Sequence, residues 1–419
     1  MITFIINAIK IIFLLGFLIF IHEGGHFLVA KLCKVKVLEF ALGFGPTIWK
    51  KQGKETKYAL RLVPLGGFVR LEGEDERVDT KTSFSNASIP KRMVIIVAGA
   101  TVNIIFGILV YFILMSSTGN NVSNIIEEKI PGYAAEQSQL QVGDEILKIN
   151  DKTINTKSDI NEVLDNCNGN ELTIIVKRNN EEKEIKLIPS KEEYKNTGIY
   201  LKSDTNNASN KIITVEKDSS SEKAGIKAND KIVKINGEDV NNGNEIAQKI
   251  QNASDKIIFT IKRGNDEQDI EVEPDTLNKY YLGVKFKLAE NNFGNNVYYA
   301  YFQTKDFLSS IFDNLKKLFT GNVSVDQMMG PVGISEAVAN TTGFADFIYL
   351  MALISLSLGI TNLLPFPALD GGKFVLLILE AIRRKKLKES TEMNLNLIGF
   401  LILIVLSLYV TYNDILRIF

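Results

Sequence analysis

The stretch FLIFIHEGGHFLVAKL, Phe17–Leu32, sets two imidazoles and a carboxylate among Phe, Leu and Ile. The segment around it, Ile5–Leu32, is broken only by Lys10, Lys31 and this cluster. It is long enough to cross a bilayer, which takes about 20 apolar residues. Polar groups at that depth are costly and persist with partners or a chemical task. The spacing suggests the task. Residues four apart on a helix share a face, so His22 and His26 can address one Zn²⁺. Glu23 can then reach a water on that ion. The competing reading is a polar helix–helix contact. The chain holds only two histidines, and both fall in this pattern. Catalytic zinc takes three protein ligands and an open fourth position, so the third must be a carboxylate or a thiolate.

Composition narrows the class. The 419 residues carry a net charge of -1 and place apolar residues at the two ends, with Lys, Glu, Asp and Asn in the middle. A near-neutral balance argues against nucleic acid as a partner. Cys33 and Cys167 are far apart and form no CxxC pair, which argues against a disulfide framework or a thiolate metal site.

Three further segments read as membrane spans: Met93–Met115, a stretch beginning at Phe344, and Leu395–Val410. A cleaved signal peptide is the alternative for the first segment. Its apolar run is too long, and no small-residue cleavage site follows. Lys31, Lys34 and Lys36, then Lys91 and Arg92, then RRKKLK at Arg383–Lys388 fall on one side if the spans alternate. Basic loops face the cytoplasm, so the termini and the middle region are expected outside.

That middle region repeats itself. GDEILKINDKTI from Gly143 aligns with NDKIVKINGEDV from Asn229 at an offset of 86 residues. The segments ending at Pro189 and Pro274, and Gly198 with Gly283, align at an offset of 85. Repeats signal repeated structural units. Within each copy, short strand-like alternations bracket a helical stretch. The run from Ala224 to Gly237 resembles a PDZ domain, and the first copy matches it more loosely, with Asp151 where the second has Gly237. PDZ domains accept a peptide or chain end along a sheet edge. The competing reading is a pair of spacer domains. The carboxylate-receiving loop is expected near Gly198 and Gly283.

The third ligand is sought in TNLLPFPALDGG, Thr361–Gly372. Two prolines break the span there, and freed backbone groups are tolerated only in a buried or wet site. Asp370 is the only acid between Asp346 and Glu380. The competing reading, an Asp that caps the helix restart at Gly371, is compatible with ligation.

HExxH in the first span, N-x-x-P-x-P-x-L-D-G in a later one and PDZ-like domains between them resemble the site-2 protease family of intramembrane zinc metalloproteases, of the bacterial envelope-stress type. The resemblance extends to GFGP at Gly43–Pro46 and GPVGI at Gly330–Ile334. It implies His22, His26 and Asp370 as zinc ligands, Glu23 as general base, and Asn362 as the residue that orients substrate or assists the oxyanion. It also implies that Phe40–Leu71 re-enters the membrane and pairs with extended substrate, rather than forming a plain cytoplasmic hairpin. Gly24 departs from the pattern, which often has a bulky residue there, and Gly24 and Gly25 together are expected to loosen the helix by roughly 1 kcal/mol each.

The expected architecture is an α-helical membrane protein with about four transmembrane helices, a membrane-associated β-hairpin region and two extracytoplasmic α+β PDZ-like domains. The ranges are 1–120 for the first membrane part, with the re-entrant region at 40–71, then 121–203 and 204–290 for the PDZ-like domains, and 291–419 for the second membrane part. The expected activity is regulated proteolysis of single-span membrane proteins, such as anti-sigma factors or remnant signal peptides, in the inner (plasma) membrane. His26 lies five residues before Lys31, about 8 Å along a helix, which puts the site near the cytoplasmic face. The PDZ-like pair is expected to refuse substrates whose outer domain is intact. The alternatives are a non-catalytic scaffold presenting PDZ domains, which would not need Glu23, and a zinc transporter, which would need more polar residues along a path.

Overall fold

In a computed structural model, residues 2–74, 76, 78–119, 121–203, 208–253, 255–264, 266–320, 329–341 and 343–418 are described. The expected domain boundaries at 120 and 204 fall on residues outside that set. The elements begin with α1 (Ile2–Leu32), β1 (Val37–Gln52), β2 (Lys57–Leu71) and α2 (Ile89–Thr118). A β-rich region follows: β3 (Val122–Lys129), α3 (Ala134–Gln137), β4 (Glu145–Ile149), β5 (Lys152–Thr153), α4 (Lys157–Asn166), β6 (Leu172–Arg178), β7 (Glu181–Leu187) and β8 (Ser190–Asn196). It continues with β9 (Ile199–Ser203), β10 (Ala208–Val215), α5 (Ser220–Ala224), β11 (Lys231–Ile235), β12 (Glu238–Asp239), α6 (Gly243–Asn252), β13 (Ile257–Arg263), β14 (Asp266–Val272), β15 (Asp275–Tyr281) and β16 (Val284–Leu288). The chain ends in α7 (Phe293–Phe319), α8 (Pro331–Ala339), α9 (Phe344–Asn362), α10 (Asp370–Arg383) and α11 (Glu389–Ile418).

The chain divides into two units. The first comprises Met1–Leu114 and Met329–Asp414, the second Met115–Met328 and Ile415–Phe419. Four helices, at Ile5–Leu32, Ile89–Thr118, Phe344–Asn362 and Glu389–Leu416, are long and apolar enough to cross a membrane. Within the first unit they meet at glycines. A Cβ on Gly25 would stand 2.7 Å from the Ala98 carbonyl oxygen, and one on Gly359 would stand 2.8 Å from that of Ala100. Small residues let helix backbones approach where no hydrophobic difference drives association. Gly25 therefore marks the α1–α2 contact, whereas a Cβ on Gly24 would meet nothing within 4 Å.

The third apolar segment breaks where its prolines stand. α9 stops at Asn362, and α10 restarts at Asp370. Gly371 and Gly372 allow the fold-back, since a Cβ on either would fall 2.2 Å from a backbone oxygen, that of Leu363 or of Phe366. α10 is held by Arg92 of α2, whose guanidinium meets Glu380 at 2.8 Å with both side chains buried. Removing either partner of such a pair costs about 3–5 kcal/mol. The GPVGI stretch starts α8, and its Gly333 amide donates to Asp414 of α11 at 2.8 Å.

β1 and β2 each bend, so Glu39–Leu42 pairs on two sides, with Lys57–Leu60 on one and Gly67–Arg70 on the other. Gly67–Leu71 forms an edge beside α1: a Cβ on Gly67 would lie 3.1 Å from Glu23 Cγ.

The second unit builds the repeat twice. Its sheets run β16-β3-β4-β6-β7 and β14-β13-β11-β10-β9, with β5 on β4 and β12 on β11. The two ranges interlace. β9 follows the first copy's strands but pairs with β10 of the second, and β16 returns from the second copy to pair with β3 of the first. Leu282 is accordingly buried in the first copy's core, with Ile126, Ile146 and Ile174. β8 and β15 pair as an antiparallel ribbon. Each copy repeats one ion pair on a buried aspartate: Arg178 meets Asp144, and Arg263 meets Asp230, through two contacts of 2.7 Å each.

Candidate metal centre

α1 presents His22 and His26 on one face, as their spacing requires, and α10 brings Asp370 to them. His22 Nε2 and His26 Nε2 lie 3.3 Å apart, and each lies 3.4 Å from Asp370 Oδ2. These three atoms form a nearly equilateral triangle. Ligands on a tetrahedral zinc with bonds of about 2.0–2.1 Å stand about 3.3 Å apart, so the triangle has the dimensions of one tetrahedral face. Asp370 Oδ2 is buried and, among the described residues, has no hydrogen-bond partner. Buried carboxylate oxygens are almost always satisfied, and a cation at the centre of the triangle would satisfy this one. The donor set, two imidazoles and a carboxylate, suits zinc.

Second contacts fix the rings. His26 Nδ1 lies 2.8 Å from the Ile95 carbonyl oxygen of α2, so Nδ1 donates and Nε2 keeps its lone pair for the triangle. His22 Nδ1 lies 3.4 Å from the Asn103 side-chain amide, whose Oδ1 is buried without a partner. Amide orientation is assigned from the hydrogen-bond network. Turned about, Asn103 accepts the His22 Nδ1–H and orients that ring in the same sense. Gly99, one turn before Asn103, leaves room for both rings: a Cβ there would stand 2.3 Å from His26 Nε2 and 2.9 Å from His22 Cε1. Gly99 and Asn103 are absent from the sequence reading. Their signal is a small residue and an amide one turn apart in an otherwise apolar span.

A cavity of about 330 Å³ opens beside the triangle, lined by Glu23, the Gly67–Val69 edge, Glu74, Ala368 and Lys373 as well as the three donors. Lys373 meets Glu74 at 2.9 Å. Ala368 takes a positive φ of 75°, strained for a side chain with a Cβ. Its amide donates to Asn396 of α11 at 3.3 Å. Asn362, the last residue of α9, is half-buried and lies outside this cavity's lining.

A second cavity, of about 440 Å³, lies in the other unit between α4 and the Tyr281–Val284 loop and extends to Phe286. Gly283 has φ 79°, and a Cβ there would collide with Tyr133. Gly198 has φ 74° at the matching place in the other copy.

Comparison with known proteins gives the family. The profile of peptidase family M50 matches residues 10–406. The regulator of sigma E protease of Haemophilus influenzae is 28% identical over 99% of this chain and 100% of its own length. The regulator of sigma-W protease RasP of Bacillus subtilis is 29% identical over 99% of this chain and 100% of its own. The solved PDZ domain of HtrA3, bound to a phage-derived ligand, is 21% identical over 22% of this chain and 93% of that chain, with a TM-score of 0.19. A profile matched from the first apolar helix to the last makes the chain a member of peptidase family M50, and therefore a metalloprotease.

Proposed function

We propose that the chain is a multi-pass membrane protein that holds zinc on His22, His26 and Asp370 and cuts transmembrane segments of single-span proteins. The carrying observation is the triangle of 3.3–3.4 Å between the two Nε2 atoms and Asp370 Oδ2. Bound zinc would supply Lewis acidity toward the scissile carbonyl and a water acidic near neutral pH. Glu23 takes the proton of the attacking water and returns it to the leaving amine nitrogen. The hydrogen bonds of His26 to Ile95 and of His22 to Asn103 keep both rings turned toward the ion. Asn362 contacts substrate backbone outside the cavity.

A helical substrate hides its peptide bonds, so the cut segment must extend first. The Gly67–Leu71 edge beside Glu23 has no strand partner on its other side among the described residues, and an extended segment adds to it as a further strand. The basic clusters at Lys31–Lys36, Lys91 and Arg383–Lys388 orient the site toward the cytoplasm. The repeat region then faces outward. Its two copies act as PDZ domains, and the groove at Gly283 receives a chain end, so substrates with a bulky outer domain are refused. The names of the Haemophilus and Bacillus relatives favour anti-sigma factors as substrates here, with remnant signal peptides as the other class.

The test is cleavage of a single-span substrate in reconstituted vesicles. The native chain cuts it, and Glu23→Gln, holding the same zinc, does not. Retained cleavage by Glu23→Gln removes this reading.

A further inference from the structure

The β1–β2 sheet carries a second feature, on the strands away from the Gly67–Leu71 edge. On it lies a second cavity of the first unit, of about 440 Å³, whose walls are Phe40, Leu42, Trp49, Tyr58, Ala59 and Leu60. Apolar surface continues past its mouth: Ile48 and Leu62 are about 60% exposed and Trp49 53%. Lys51 and Gly53 stand at its rim. Around that rim the sequence KKQGKETK, Lys50–Lys57, supplies four cations and one acid. The acid is taken, because Glu55 meets Lys31 at 2.6 Å. Lys57 is taken by Glu39 at 3.2 Å. Lys50, Lys51 and Lys54 are exposed and make no ion pair among the described residues.

We infer that this groove is a binding site for an anionic phospholipid, with one acyl chain against Trp49, Tyr58 and Leu60 and the headgroup phosphate held by Lys51, which shares their face of the sheet, and by Lys54 of the adjoining turn. An apolar slot ending in surplus positive charge matches an amphiphile with an anionic head. Trp and Tyr sit well at the headgroup level, and basic clusters beside apolar surface collect anionic lipid. A free anion would leave the apolar walls wet, and a zwitterionic lipid would bring its own cation against the lysines. The occupied lipid would brace the outer half of the sheet, which includes Lys57–Leu60, the strand partner of Glu39–Leu42.

This inference rests on the membrane reading above, and one experiment separates the two. Full-length protein is reconstituted in vesicles of equal phosphatidylglycerol and phosphatidylcholine, washed in alkaline carbonate, extracted in mild detergent, and assayed for retained lipid by native mass spectrometry. The native chain is expected to stay in the vesicles and keep phosphatidylglycerol over phosphatidylcholine by about tenfold. Lys51→Ala/Lys54→Ala is expected to stay in the vesicles, lose most of that preference and keep its zinc, whereas Lys50→Ala, on the opposite face of the strand, is expected to keep the preference. Trp49→Ala is expected to lower retention of both lipids. Release of the native chain by carbonate would overturn the membrane reading. A chain that stays embedded but holds both lipids equally, or a Lys51→Ala/Lys54→Ala variant with native preference, overturns the lipid site alone.

Discussion

Gly99 of α2 faces the His26 imidazole so closely that a methyl group there would lie 2.3 Å from Nε2. The ring has no room to retreat, because its other nitrogen is tied to the Ile95 carbonyl oxygen at 2.8 Å. Gly99→Ala should displace a ligand nitrogen and lower zinc affinity about 10–100-fold. Competition with a chelating dye measures it, and native affinity in Gly99→Ala would show that α2 does not approach the rings this closely.

Asn103 acts on the other ring. Replacing it with Leu removes the acceptor for His22 Nδ1 and frees that ring to turn. Zinc affinity should again fall about 10–100-fold, with Asn103→Asp closer to native because it keeps an oxygen at that place. Chelator competition on both variants distinguishes positioning from lost packing, which would affect the two alike.

The first repeat copy should carry an acid-sensitive joint. Burial pushes the Asp144 carboxyl up, but hydrogen bonds from Arg178 and the Gln141 amide, together with the Arg178 charge, outweigh it and hold the group below the usual carboxylate range. A depressed folded-state value means the contribution is full well above the unfolded value of about 3.9 and is lost as pH falls through the lower folded one. Asp144→Asn should destabilise this copy near neutral pH by about 2 kcal/mol, the scale of a lost hydrogen bond between charged groups. It should also flatten the loss of stability in acid. Urea midpoints from pulse proteolysis of the full chain between pH 7 and pH 3 check both.

The interlaced strands predict which deletions fold. Removing 204–290 takes β16 out of the first copy and should leave its sheet open at β3. Removing 199–283 joins Gly198 directly to Val284, matches the 85-residue offset, and restores a single complete sheet. Limited proteolysis should find the first variant cut across 121–203 and the second protected. Equal protection would mean that β16 is dispensable to the first copy.

Much of this was legible because particular residues had few alternatives. Two histidines in the whole chain, four apart around Glu23, left little else for them to do, and Asp370 stood alone among the acids of its segment. The structure brings these together. The prolines at 365 and 367 marked the break between α9 and α10. The family and the class of enzyme followed from those motifs, and the comparisons agree.

Other features were not local properties of the chain. Gly25 read as a defect in α1, but it is the place where Ala98 of α2 approaches, and helix contacts cannot be seen from one helix. Gly99 and Asn103 looked like ordinary span residues, because their importance lies in what stands opposite them. The repeat offsets found two copies yet could not say that β9 and β16 would exchange sheets, since an offset records similarity and not pairing partners. Asn362 illustrates the converse: a motif carried it into the site, whereas the cavity lining does not include it.

Zinc content per chain tests the central claim most directly. Full-length protein purified without chelator should hold about one zinc, as a site of three protein ligands would, and Glu23→Gln should hold the same. His22→Ala, His26→Ala and Asp370→Asn should each fall close to none while keeping native elution and melting. An Asp370→Asn chain with its full zinc would contradict the shared centre between α1 and α10.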